Sequence, residues 1–184
     1  MVNDELKNIP YKNYAKRKNF KKVLVGHPLL DLFKGTKRTY LNFNYTVTLE
    51  KIYKIAPNKV FHLHGKPGET IYFGHGNYND NFETYGTWGA EDDMDYIKKY
   101  FLKDTQDVIS QNYNFFDSLK DVNEIYSYGF SFSDVDMVYI DEICKHINPS
   151  NVVWYFNKYD AKNNKSYLDK IESKGFCVKI ESRW

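Results

Sequence analysis

Cysteine is scarce in this chain, with only Cys144 and Cys177 among 184 residues. That excludes a disulfide framework and a four-cysteine zinc site. Cys144 falls in a helical pattern and Cys177 begins a strand near the end of the chain, which argues against a thiol enzyme. Long apolar runs are also missing. No stretch approaches the roughly 18 residues of a membrane span, and the mean hydropathy is −0.66. The N-terminus lacks the charged, apolar and small-residue order of a secretory signal, so cytoplasm is the expected location. No excess of one charge exists: 26 Lys and Arg face 24 Asp and Glu, a net charge of +2. Such balance makes nucleic acid an unexpected partner. Walker-type and Gly-x-Gly-x-x-Gly loops are absent. Ser131 lies in Gly-Phe-Ser-Phe-Ser, not in the Gly-x-Ser-x-Gly of a hydrolase elbow.

Aromatic residues, by contrast, are abundant at 18% of the chain, including 17 Tyr and 13 Phe. Burying that much ring area offsets the entropy of ordering a chain and argues for a folded domain. The expected division is a basic, helical N-terminal extension over residues 1–35 and a single α/β domain over 36–184. Within the extension, Tyr11 to Lys22 carries six positive charges and no negative one. It reads as a solvated surface helix or a frayed terminus, with a nucleic-acid arm as the alternative.

Beyond it, short strands alternate with helical patterns. Strands are expected at Arg38–Phe43, Lys59–Leu63, Thr70–Phe73, Glu124–Tyr128, Asn151–Phe156 and Cys177–Ile180. Thr46 is placed to cap a helix through Val47, Leu49, Ile52 and Tyr53. Glu91 to Val122 reads as one broken helix or two. Ser133 precedes a further helix, and Asp160 to Lys174 forms the last, ending at Gly175. This alternation predicts an α/β fold, a three-layer Rossmann-like domain with a mainly parallel sheet. In such sheets the site lies beyond the carboxyl ends of the strands.

Three polar clusters fall at expected strand ends: Asn42-Phe43-Asn44-Tyr45-Thr46, His62-Leu63-His64-Gly65, and Gly129-Phe130-Ser131-Phe132-Ser133-Asp134-Val135-Asp136. Strand alternation puts Asn42 with Asn44, and His62 with His64, on a common face, with Asn44 and His64 nearer the open end. An amide that donates and accepts, beside an imidazole that moves protons, suits a sugar or nucleotide. The third cluster offers helix N-terminal N–H groups to an anion. Its aspartates oppose phosphate, and fit a ribose hydroxyl or simple capping better. His62, His64 and His75 also raise a zinc reading, although no nearby Cys or acidic cluster completes it.

Taken together, Leu41-Asn42-Phe43-Asn44-Tyr45-Thr46, Thr48-Leu49-Glu50-Lys51-Ile52-Tyr53, His62-Leu63-His64-Gly65-Lys66, Phe73-Gly74-His75-Gly76 and the segment from Tyr128 to Asp136 resemble the AbiH family of bacteriophage abortive-infection proteins. More distantly, that family is similar to sirtuin-like domains of antiphage systems, many of which destroy NAD. The resemblance implies antiphage defence and a nucleotide-related site. It implies catalytic roles for Asn44, orienting a ribose or water, and for His64 as general base. It implies NAD or a related nucleotide as ligand, contacted by Thr46, Gly65, Gly129, Ser131, Ser133 and Asp134. Two features of the wider pattern have no counterpart here. The opening Gly-x-Gly-Phe-Asp loop is missing, so the domain is expected to be incomplete at its N-terminus. Thr46 stands where sirtuin-like enzymes carry Asp. The alternatives are a non-catalytic module that forms homo-oligomers or binds a second chain, and a metal-dependent nucleic-acid binder or nuclease.

Overall fold

The computed structural model describes residues 38–74 and 91–181. The expected extension over residues 1–35, and His75, lie outside them. Among the described residues, five strands form two sheets, and every pairing is parallel. The smaller sheet joins β1 (Tyr40–Asn42) to β2 (Val60–His62), with Asn42 opposite His62. The larger has the order β3 (Glu124–Ser127), β4 (Val153–Asn157) and β5 (Cys177–Glu181). This is a Rossmann-like α/β arrangement, with the expected sheet divided in two.

The middle strand shows why these residues pair. Val153-Trp154-Tyr155-Phe156 is β-branched and aromatic, which suits a pleated surface. Trp154 and Phe156 turn into the core, and the Tyr155 ring stacks on Tyr126 of the neighbouring strand with centroids 4.6 Å apart. Burying an indole strands a polar N–H. Trp154 resolves this by donating to Ser127 Oγ at 3.0 Å, which accounts for a buried serine on β3.

Parallel neighbours require crossover connections. Helix α5 (Asp134–His146) connects β3 to β4. Its Tyr139, Ile140 and Ile143 lie in one core cluster with Trp154, Phe156, Ile171 and Phe176. Between β4 and β5 the expected single helix is two, α6 (Lys158–Asn163) and α7 (Lys165–Glu172). Asn164 breaks it, with φ −139° and ψ 74°, outside helical space.

Glu91 to Val122 also divides further than expected. It gives α2 (Glu91–Tyr100), α3 (Thr105–Gln111), α4 (Tyr113–Asp117) and a 3-10 turn over Ser118–Asp121. Asp104 starts α3 by accepting from the Asp107 N–H at 2.8 Å. The Asn112 amide donates to the Val108 carbonyl, competing with helix continuation and separating α3 from α4.

Two further expectations are corrected. Thr46 does not cap the helix after β1. That helix, α1, is only Thr48–Lys51, with Val47 at the cap position and no side-chain cap. Thr46 Oγ1 is engaged instead with Thr48 Oγ1 at 2.9 Å. Nor is Thr70–Phe73 a strand. Gly65, at φ +79°, reverses the chain so that residue 72 meets the turn after β2, and Tyr72 N–H donates to His64 O at 3.0 Å. A Cβ at Gly65 would lie 1.9 Å from the Thr70 carbonyl oxygen, so the reversal requires glycine.

Candidate functional site at the strand ends

Beyond the carboxyl ends of β1, β2 and β3 lies an open cavity of about 320 Å³. Phe43, Asn44 and Tyr45 reach it from the turn after β1, and His64 from the turn after β2. Gly129, Phe130, Ser131 and Ser133 reach it from the loop after β3, and Val135 and Asp136 from the first turn of α5. Gly74 and Lys103 complete the wall.

The common-face expectation fails for both residue pairs, because β1 stops at Asn42 and β2 at His62. Asn44 and His64 therefore sit on turns, free of strand alternation. Asn42 is buried beneath the first turn. Its Oδ1 accepts from Asn44 N–H at 3.0 Å, and its Nδ2 donates to Thr46 O at 3.2 Å. His62 is joined to Asn42 at 3.4 Å through Nδ1 and to Glu50 at 2.7 Å through Nε2. An amide N–H can only donate, so Nδ1 is the acceptor and Nε2 carries the proton given to Glu50. Glu50, His62 and Asn42 thus form a hydrogen-bonded line that braces the turn carrying Asn44 and Tyr45.

His64 belongs to a different network. Its Nδ1 lies 3.0 Å from the Phe43 carbonyl, which can only accept, so Nδ1 is protonated. Nε2 faces Lys103 Nζ at 2.5 Å, and Lys103 Nζ donates to Asp136 Oδ1 at 3.1 Å. Nε2 is also 3.4 Å from that carboxylate oxygen. Ser133 Oγ donates to the other Asp136 oxygen at 3.0 Å. Burial alone would raise the Asp136 carboxyl, but the proton that His64 Nε2 turns toward it when the ring is charged, together with the Lys103 ammonium, outweighs this and holds it at about 2. Burial lowers the Lys103 ammonium below the ordinary lysine range, and Asp136 partly offsets that. Burial, reinforced by the charge of Asp136, raises the Tyr139 hydroxyl.

The third cluster is held from behind. Gly129 adopts φ +63° and Phe132 φ +49°, left-handed conformations that turn the chain sharply between β3 and α5. The Gly129 N–H donates to Asp160 Oδ2 at 3.0 Å, and the Asn157 side-chain amide donates to the same oxygen. Lys170 donates to the Phe132 carbonyl at 2.8 Å and to Asp134 Oδ1 at 3.0 Å. The Gly129 amide is therefore taken by Asp160 and not free to meet an anion. Of the six expected ligand contacts, Gly129, Ser131 and Ser133 lie on the cavity wall. Thr46 and Asp134 have the other partners named above, and buried Gly65 makes the chain reversal.

Residues 2–158 match the family model described as bacteriophage abortive infection AbiH. The chain belongs to the AbiH family. No curated protein and no solved structure matches it. In this AbiH protein the cavity wall carries Asn44, His64, Lys103 and Asp136. Lys103 carried no motif and was unmarked in the sequence, one of 26 Lys and Arg residues. Among the described residues, no group of three His, Cys, Asp or Glu side chains is arranged to hold a metal. His62 and His64 belong to separate networks. No described helix is long and apolar enough to cross a membrane.

Proposed function

We propose that the cavity takes the ribosyl end of a nucleotide, NAD or a related one, and that the defence role of this AbiH protein acts through it. One observation carries the reading: Asn44 and His64, from turns after neighbouring parallel strands, open onto the same hollow as the loop bearing Gly129, Ser131 and Ser133.

Size and charge support the sugar end. A volume of about 320 Å³ is at the lower limit for small-molecule sites and suits a nucleoside portion better than a whole dinucleotide. The Lys103 ammonium, the cation on the described wall, is already paired with Asp136, which leaves little net charge for a phosphate. Phe43, Tyr45 and Phe130 provide ring surfaces for a base or sugar face. The exposed Asn44 amide and Ser131 hydroxyl supply donors and acceptors for ribose hydroxyls or a water. In a cleavage reaction Asn44 orients the ribose or water, and the His64 network supplies acid–base capacity.

Purified protein incubated with NAD, its nucleoside analogues and other nucleotides tests this by calorimetry and by chromatography of released base. Binding that His64→Ala and Asn44→Ala weaken, with base release by the unmutated protein alone, is the expected result. Neither binding nor turnover by the unmutated protein removes the reading.

A further inference from the structure

We propose that Lys103 is a catalytic residue of this cavity, the amine that receives the proton of the attacking water. The proposal rests on the nucleotide reading above and assigns the base within it.

The usual base of such a site would be the imidazole, but its free nitrogen is already taken. With Nδ1–H given to the Phe43 carbonyl, Nε2 is the only acceptor left on the neutral ring, and Lys103 Nζ occupies it at 2.5 Å. His64 cannot take a proton from water at Nε2 without expelling Lys103. Lys103 itself lines the cavity while its side chain is only 4% exposed. Its amine has three hydrogen-bonding directions, and among the described residues His64 and Asp136 use two. The third remains for a ligand or water.

Other groups set how readily the amine loses its proton. Asp136 and Tyr139 face it from α5, His64 from the turn after β2, and Asp104 adjoins it in the chain. Tyr45 lies on the same cavity wall. Burial lowers the proton affinity of Lys103, and Asp136 restores part of it. The neutral amine is therefore populated closer to neutrality than in an exposed lysine.

The step balances with one acceptor. The water oxygen bonds to the ribose C1′ carbon as the C1′–N bond breaks. That electron pair returns to the pyridinium ring, so nicotinamide leaves neutral and needs no proton. The proton lost by the water converts Lys103 from amine to ammonium, the species that Asp136 Oδ1 and His64 Nε2 then hold. The positive charge of the ring has passed to the lysine. In this scheme His64 is a positioning residue.

The test follows NAD hydrolysis by the purified chain as kcat and KM against pH, for the unmutated protein, Lys103→Arg and Asp136→Asn. In parallel, lysines are ¹³C-methylated and titrated by NMR. Arg keeps the charge but cannot act as a base, so Lys103→Arg is expected to lose roughly 10²–10⁴-fold in kcat with KM changed less than about threefold. The acid limb of the kcat profile should move to lower pH in Asp136→Asn, because the carboxylate that stabilises the ammonium is gone. The methylated Lys103 signal should titrate below the other lysines. An active Lys103→Arg, or a Lys103 signal that titrates with the exposed lysines, overturns the proposal and leaves the nucleotide reading standing. An unmutated protein that binds NAD without turnover overturns the proposal alone, and one that neither binds nor turns it over overturns both. Lys103→Gln provides a second kcat reading if the arginine variant fails to fold, and the NMR titration needs no variant.

Discussion

Asp136→Asn should destabilise the protein in a way that depends on pH. The carboxyl is held at about 2 against an ordinary value of 3.8, which corresponds to about 2 kcal/mol of stability at neutral pH. The side chain is 16% exposed, so solvent screening removes little of this. The amide also leaves the buried Lys103 ammonium without its counter-charge, and the cost of an uncompensated charge adds to the total. The expected loss is about 2–3 kcal/mol, or roughly 5–10 °C in Tm for a chain of this size. The folded carboxyl lies below its unfolded value, so its stabilisation is complete above the unfolded value and disappears as pH falls through about 2. About half of it should remain at pH 3. Urea unfolding of both proteins from neutral pH down to pH 3 measures this as a difference in midpoint at unchanged m-value. Adding Lys103→Met to Asp136→Asn removes the stranded ammonium, and the double variant should be more stable than Asp136→Asn alone. A cost that stays constant across the pH range, or a double variant less stable than the single one, would refute the ion-pair reasoning.

Substitutions at three other positions probe the scaffold. Gly65→Ala combines a left-handed φ with a Cβ 1.9 Å from the Thr70 carbonyl oxygen; thermal melts should show a loss of about 3 kcal/mol or more. Asp160→Ala leaves the Gly129 N–H and the Asn157 amide without their acceptor. It should cost about 1–3 kcal/mol, and hydrogen exchange at the Gly129 amide should accelerate. Tyr139→Phe removes a buried hydroxyl that has no partner among the described residues. Chemical denaturation should find it neutral or slightly stabilising, whereas Tyr139→Ala should cost about 3–5 kcal/mol.

The larger sheet was readable because its strands carry strong local signals. Val153 to Phe156 is β-branched and aromatic, Ser133 precedes a helix that does begin at Asp134, and Gly175 ends the last helical stretch with φ +93°. The divided helices were less visible, because the breaks depend on single asparagines, Asn112 and Asn164, rather than on Pro or Gly. Strand alternation misjudged His62 and His64 for a geometric reason: β2 stops between them, so the rule did not apply. The meeting of Asn44 with His64 followed from the parallel order of the strands. Lys103 could not have been found this way. Nothing local distinguishes it from other lysines, and its position depends on the break between α2 and α3 folding back onto His64 and Asp136.

The parallel pairing of these strands also governs how the chain must assemble. Each described ladder joins segments twenty or more residues apart, so no hairpin can nucleate either sheet. Loop-closure entropy has to be met before strand contacts return any stability, which places such topologies among the slower folders. During synthesis the sticky Val153–Asn157 segment emerges well before Cys177–Glu181, its second neighbour in the sheet. Through that interval one flank of the central strand is bare, and chaperone dependence or aggregation should concentrate there.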